Sequence, residues 1–307
     1  MLNRTNLEFI EKGSQVCCYI RGGNWRTPDV LSIALIKILG EKYDFKIDVV
    51  RNNNIAWIDT KDPSNIICGI GAGPYTFEGT KLYRDEKQKY PYGPFGLLVK
   101  EFGSFLCNDY GNQLKKFDNS FVKVIDWVGL QNTYDTCDTY EDTFSYMLTT
   151  FKSSWEENRN LTKTQCMTRL DNSFFVALDT ASDLLRGKFK HINSASRVYK
   201  ILDDIYSNLL KEEPNLKYML LSEPLPWFDW AADHCKIRYY IYETPRGGWI
   251  VQINPNYAYS IEAVKQLKGV VYVHSTGSLA VCTQLGDAVA ITREIESRHL
   301  FAIKDAK

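Results

Sequence analysis

Two short stretches hold side chains whose types and spacing could do chemistry. The first is Arg21-Gly-Gly-Asn-Trp-Arg-Thr-Pro-Asp29. A β-prone run, Gln15-Val-Cys-Cys-Tyr-Ile20, enters its Gly-Gly turn, and the apolar segment Val30–Leu39 leaves it. Thr27 suits a helix N-cap, Pro28 the first helical position, and Asp29 complements the positive end of the helix. A strand, a tight turn and a helix start together gather polar side chains and free backbone N–H groups at one point, where α/β folds bind phosphates. The same stretch also reads as an ordinary first β-α unit. The second stretch is His274-Ser-Thr-Gly-Ser278. A strand that ends in small polar residues ahead of a helix offers hydroxyl and backbone donors to a phosphate or a sugar. A lone His after a strand also occurs as a satisfied structural residue.

At 307 residues the chain is long enough for two domains with their own cores. Lys plus Arg and Asp plus Glu both number 37, so bulk charge favours neither duplex nucleic acid nor a membrane surface, and a local basic site stays open. The opening residues lack the apolar core of a signal peptide and no apolar run is long enough to span a bilayer, so a cytoplasmic protein is expected. Eight scattered Cys without a C-x-x-C pair read as reduced, mostly buried thiols. The four His are His191, His234, His274 and His299, so the first 190 residues contain none.

Periodicity predicts how these stretches are positioned. After the opening helix, Phe45–Arg51 alternates like a strand, and Ser64–Gly73 reads as a buried strand entering a glycine-rich turn. Residues 74–92 read as a polar, aromatic loop with one short strand near Thr80–Tyr83, and Tyr90–Pro94 as a rigid stretch bordering a cleft. Phe95–Phe102 and Phe117–Trp127 have helical spacing, the latter with Asp126 at its end. Strands alternating with helices predict a mostly parallel sheet with helices on both faces. Residues 131–142 are acidic and poorly periodic, a natural boundary, with Asp135–Asp142 a solvated linker. Phe174–Leu185 and Ala195–Tyr206 are helical. The period then changes to two in Lys217–Leu221, Ile237–Tyr242, Gly248–Asn254 and Gly269–His274, with a final helix around Leu285–Ser297. The division expected is residues 1–135, a helical connector 136–212, and a smaller α/β domain 213–307. Trp227 and Trp230 are read as core or rim, and Trp155 as an anchor for the connector.

The order of these segments resembles the Myg family of DHH-type phosphoesterases, two-domain, metal-dependent 3′–5′ exonucleases. Gly23-Asn-Trp-Arg-Thr-Pro-Asp-Val-Leu31 sits where that family has G-x-F-H-x-D-E-x-L. Asp48-Val-Val-Arg51 is similar to its second strand, and Phe151-Lys-Ser-Ser-Trp-Glu-Glu157 to its F-N-P-x-W-N-E word. Tyr239–Tyr242 through Gly247–Gln252 resembles its late hairpin, and Val273-His-Ser-Thr-Gly277 its V-H-A-S-G turn. The resemblance implies a two-domain DHH-phosphoesterase-like α/β fold, with a ligand held in an interdomain cleft and the His274 turn on the substrate side.

The departures carry the functional expectation. The family would hold two metal ions through His and Asp. Its first-turn His positions become Arg21 and Arg26, the following Asp becomes Pro28, and Asp29 takes the next Glu position. The Asp ending the third strand falls at Gly69, the D-H-H word at Arg84-Asp85-Glu86, and only Asp126 looks retained. Transition metals such as Mn²⁺ are held by imidazole with carboxylates, which this half lacks. A carboxylate-only Mg²⁺ site from Asp29, Asp85, Glu86 and Asp126 is the alternative. A guanidinium, by contrast, is permanently charged and makes paired hydrogen bonds to phosphate. Arg21, Arg26 and Arg84 with Asn24, and the residues His274, Ser275, Thr276, Gly277 and Ser278, are therefore the candidate ligand-binding groups, with Arg238 and Arg246 as added charge. No cofactor is expected, with Mn²⁺ or Mg²⁺ as the alternative. The expected function is a catalytically degenerate phosphoesterase homologue binding a nucleotide or a nucleic-acid end as sensor, sequestering protein or partner subunit. The rival expectations are an active 3′–5′ exonuclease and a structural protein-interaction role, in which these arginines only neutralise neighbouring carboxylates. A homo-oligomer or a protein partner fits any of them.

Overall fold

A computed structural model describes residues 12–62, 64–85, 90–131, 140–234, 236–259 and 261–303. The fold is α/β, and the chain divides into two compact units, Met1–Asn193 and Ser194–Lys307. Among the described residues no helix is long and apolar enough to cross a membrane. Six described Cys are free thiols, as expected.

The first unit is built on β1 (Gln15–Ile20), α1 (Thr27–Tyr43), β2 (Lys46–Arg51) and β3 (Asn65–Cys68). The three strands pair in the order β2-β1-β3, all parallel. α1 carries Pro28 in its first turn and Asp29 at N3, and is buried on nearly every side from Thr27 to Gly40. Its hydrophobicity therefore runs all round, as a core helix requires. It ends on Asp44 in the left-handed region, which turns the chain back into β2. Next come α2 (Phe77–Thr80) and the short antiparallel strands β4 (Tyr83–Asp85) and β5 (Tyr90–Pro91). The segment read as a loop with one short strand is thus a helical turn, capped by Thr76 accepting from Gly79 N, plus a strand pair.

α3 (Pro94–Leu106) and a single-turn 3₁₀ segment, Tyr110–Asn112, lead to α4 (Gln113–Phe117). A π turn, Asp118–Val122, joins α4 to α5 (Lys123–Gln131), so Asp126 lies inside a helix rather than at its end. α6 (Tyr140–Thr149) and α7 (Trp155–Asn158) follow. The expected linker lies largely outside the described residues. The two helical stretches read separately are one helix, α8 (Lys163–Glu212), uninterrupted because no Pro falls between Thr164 and Glu213.

The second unit holds β6 (Tyr218–Leu220), α9 (Phe228–Ala232), β7 (Tyr239–Glu243), β8 (Trp249–Ile253), β9 (Tyr257–Tyr259), α10 (Ile261–Lys265), β10 (Val270–Val273), β11 (Leu279–Cys282), α11 (Leu285–Ser297) and β12 (Phe301–Ile303). Its five-stranded sheet runs β10-β11-β8-β7-β6, antiparallel except for the β6·β7 pair. Trp227 and Trp230 are buried, Trp227 stacked on Tyr240 with ring centroids 3.8 Å apart. Asn254 fixes the entry to β7 from a fully buried position. Its amide donates to the carbonyls of Ala231 at 2.9 Å and Ile237 at 3.1 Å, and its side-chain oxygen accepts from Asn256 N at 3.0 Å. Asn254→Ala should lower unfolding free energy by about 2–4 kcal/mol in urea denaturation, since buried polar groups lose their partners.

Candidate functional site

Parallel pairing brings the carboxyl ends of the first three strands to one edge. Ile20 stands opposite both Arg51 and Cys68, so Arg21, Arg51 and Gly69 converge where parallel α/β sheets bind ligands. There a cavity of 340 Å³ is lined by Arg21, Arg26, Gly69, Gly71, Thr76, Phe77, Glu78, Pro94 and Leu130. Two of the expected arginines thus meet in one space.

Their hydrogen bonding is incomplete. Arg26 donates from Nη1 to the Gly129 carbonyl at 2.7 Å, while its Nε lies 3.5 Å from Asp29 Oδ2 and has no hydrogen-bond partner. Arg21 makes a single long bond from Nη2 to the Gly69 carbonyl, at 3.4 Å, and forms no ion pair among the described residues. Asp29 is fully buried; its Oδ2 accepts from Arg26 N at 2.9 Å, and its Oδ1 is unpartnered. Gly69, in the left-handed region, leaves room for that oxygen, since a Cβ there would lie 2.8 Å from it. Gly69 is what lets Asp29 tuck in.

Two further cations stand behind the turn, and neither was expected. Arg51 has a buried side chain, pairs with Asp171, donates to the carbonyls of Gly23 and Arg21, and lies 4.7 Å over the Phe174 ring. Burial lowers its pKa, with Asp171 and Asp29 opposing. Lys152 donates to Asn24 Oδ1 at 2.8 Å and sits 4.5 Å from the Trp25 ring. Desolvation likewise holds its pKa below the ordinary lysine value, against the pull of Asp29. The word Phe151–Glu157 thus acts through its lysine. Trp155, expected as an anchor, is 71% exposed, because Ser154 and Glu157 cap a single-turn helix that leaves the indole outside.

Arg84 does not join the cavity. Its guanidinium bonds Asp118 at 3.1–3.3 Å, Asp126 at 2.7 Å and the Pro91 carbonyl at 2.9 Å, and lies 4.0 Å over the Tyr92 ring. With four of its five N–H donors taken and its side chain 6% exposed, it is a structural cation and not a phosphate ligand. Asp126, fully buried, also accepts from Gly96 N at 3.2 Å. Burial pushes its carboxyl up to about 6, against the opposing pull of Arg84.

The carboxylate-only metal site does not fit these residues. Asp126 gives its oxygens to Arg84 and Gly96, and Asp29 faces Arg26, so a divalent cation at either place would meet a guanidinium. Among the described residues no three His, Cys, Asp or Glu gather as metal ligands. The side chain of Asp85, and Glu86 altogether, lie outside the described residues.

In the second unit, the His274–Ser278 turn is not followed by a helix. It closes the β10–β11 hairpin, His274 N donating to the Leu279 carbonyl at 3.0 Å. The expected helix-end donors are therefore missing from this turn. His274 Nδ1 lies 2.7 Å from Thr276 Oγ1 and accepts from Thr276 N at 3.2 Å, while Thr276 Oγ1 donates to Ser278 Oγ at 2.8 Å. These polar groups satisfy one another around Ser275 and Gly277. Arg238 is engaged as well, pairing with Glu296 at 2.5 Å and stacking on Phe301.

No protein-family model matches the chain, and no curated protein does. Among solved structures, RecJ from Thermus thermophilus in complex with Mn²⁺ is similar over 92% of this chain and 52% of that one, at 11% identity and a TM-score of 0.28. The chain thus spans about half the length of that protein. Exonuclease RecJ bound to manganese is similar over 95% and 92% of the two chains, at 12% identity and a TM-score of 0.30. An uncharacterized protein from Helicobacter pylori is similar over 96% and 86%, at 11% identity and a TM-score of 0.22. Likenesses this distant assign no chemistry to the chain.

Proposed function

We propose that the chain is a catalytically degenerate DHH-type phosphoesterase homologue that binds a phosphate-bearing ligand, a nucleotide or a nucleic-acid end, without hydrolysing it. It would serve as a sensor, a sequestering protein or a partner subunit. The observation that carries the proposal is the cavity at the sheet edge, lined by Arg21 and Arg26, which spend one Nη2 bond and one Nη1 bond on backbone carbonyls. Around that turn and its cavity four cations, Arg21, Arg26, Arg51 and Lys152, are set against three carboxylates, Asp29, Asp171 and Glu78. A surplus of positive charge with guanidinium donors favours an anion. The non-hydrolytic part of the proposal is supported by Asp126, whose two oxygens are taken by Arg84 and Gly96, and by Arg26 beside Oδ2 of Asp29.

Isothermal titration calorimetry in EDTA, with mono- and dinucleotides and short oligonucleotides, tests the proposal. Saturable binding that Arg26→Ala weakens supports it. Absence of binding across the set, or binding that Arg26→Ala leaves unchanged, removes it.

A further inference from the structure

The cavity at the sheet edge contains both signs of charge and keeps them apart. Arg21 and Arg26 line it, and so does Glu78, in the first turn of α2, yet no ion pair joins Glu78 to either arginine among the described residues. Phe77, Pro94 and Leu130 supply apolar wall to the same space. An inorganic anion would satisfy the guanidinium groups but leave the apolar wall bare and bring a second negative charge near the carboxylate. A ligand that matches the whole lining has an anionic end for the arginines, an organic body for the wall, and a hydroxyl or amine to donate to Glu78. At 340 Å³ the space lies at the small end of the roughly 300–1,000 Å³ typical of small-molecule sites. That is room for a sugar phosphate or a mononucleotide, not for several linked nucleotides.

From this lining we infer that the site selects a compact phosphomonoester whose organic part carries a hydrogen-bond donor, with Glu78 as the residue that reads that donor. The inference rests on the phosphate-binding proposal and narrows it from any phosphate-bearing end to a small, hydroxylated or amino-bearing monoester. Glu78 is exposed at the mouth of the cavity, so replacing it leaves the packed core untouched. It acts on specificity: a charged acceptor rewards a ligand that donates and penalises one that brings only negative charge.

Calorimetric titrations in EDTA with ribose 5-phosphate, inorganic phosphate and a 5′-phosphorylated pentanucleotide, on the wild type and on Glu78→Ala, test the inference. The wild type should bind ribose 5-phosphate at least about 10-fold tighter than inorganic phosphate, the scale of one hydrogen bond to a charged group. Glu78→Ala should remove most of that preference while binding inorganic phosphate as well as, or better than, the wild type. Equal wild-type affinity for the two probes overturns the inference. So does a gain of the same factor for both probes in Glu78→Ala, which would make Glu78 a simple repelling charge. Tighter binding of the pentanucleotide than of ribose 5-phosphate overturns the compact-ligand inference and leaves the phosphate-binding proposal standing. Failure of the wild type to bind any of the three removes both.

Discussion

Arg84→Met should cost about 3–5 kcal/mol of unfolding free energy at neutral pH, the range for stripping the partner from a buried charge. The variant keeps the volume of the side chain but leaves Asp126, which is fully buried, with backbone N–H donors and no counter-ion. Gly96 makes the pairing possible. A Cβ at that position would overlap both the Asp126 carboxylate and the Arg84 guanidinium, so the pair occupies space that only glycine leaves. Asp118, the other partner of Arg84, keeps some access to water and loses less.

The deficit should depend on pH in a definite direction. Burial raises Asp126 to about 6 in the folded chain, above the ordinary carboxylate value, and losing Arg84 raises it further. A group whose folded pKa exceeds its unfolded one takes up a proton on folding, so its contribution to stability is lost as pH rises through the folded value. Urea denaturation at pH 5 and pH 8 should therefore show a larger loss for Arg84→Met at pH 8. Adding Asp126→Asn to Arg84→Met should recover part of it. An equal loss at both pH values would mean that the buried carboxylate is not what the arginine serves.

Arg21→Ala combined with Arg26→Ala should weaken binding of a phosphomonoester by about 100-fold or more. Each guanidinium makes charge-assisted bonds worth about 1.5–3 kcal/mol, and about 1.4 kcal/mol is a factor of ten. The two positions differ in what else they do. Arg26 faces the buried carboxylate of Asp29, so its removal also exposes that charge to an unpaired interior and lowers stability. Arg21 spends only one long bond on the protein, so Arg21→Ala should cut affinity about 10-fold or more with little change in unfolding free energy. Arg21→Lys should restore charge but not the paired geometry, and so only part of the affinity. Measuring Kd and stability on the same samples separates lost contacts from partial unfolding.

The strand, Gly-Gly turn and helix around Arg21–Asp29 were legible because every cue there is local: β-prone residues, a turn pair, Pro28 at the helix start and an unbroken apolar run. Gly69 was also placed correctly at the end of its strand, although the sequence did not reveal that Asp29 would occupy the room it leaves. Lys152 could not be assigned to the turn, since it reaches Asn24 across 128 residues and no local pattern records a contact of that range. Arg84 looked like a ligand because its alignment position was suggestive. Its fate was decided by Asp118 and Asp126, which a helix interrupted by a π turn brings to it. The turn at His274 is read differently for a simpler reason: Leu279–Cys282 is too short and too mixed to signal a strand, so the turn is expected to lead to the helix at Leu285 with no strand between. Glu78 sits in a four-residue helix that no periodicity could reveal, and only the cavity it lines gives it meaning.

Equilibrium dialysis of the purified chain against Mn²⁺, with Asp29→Ala and Asp126→Ala in parallel, bears most directly on the proposal that guanidinium groups stand in for metal ions. The account predicts no saturable uptake in the wild type and the same phosphomonoester affinity in Mn²⁺ as in EDTA. Uptake of two ions per chain that disappears in both variants, with release of nucleotide from a labelled oligonucleotide, would contradict it.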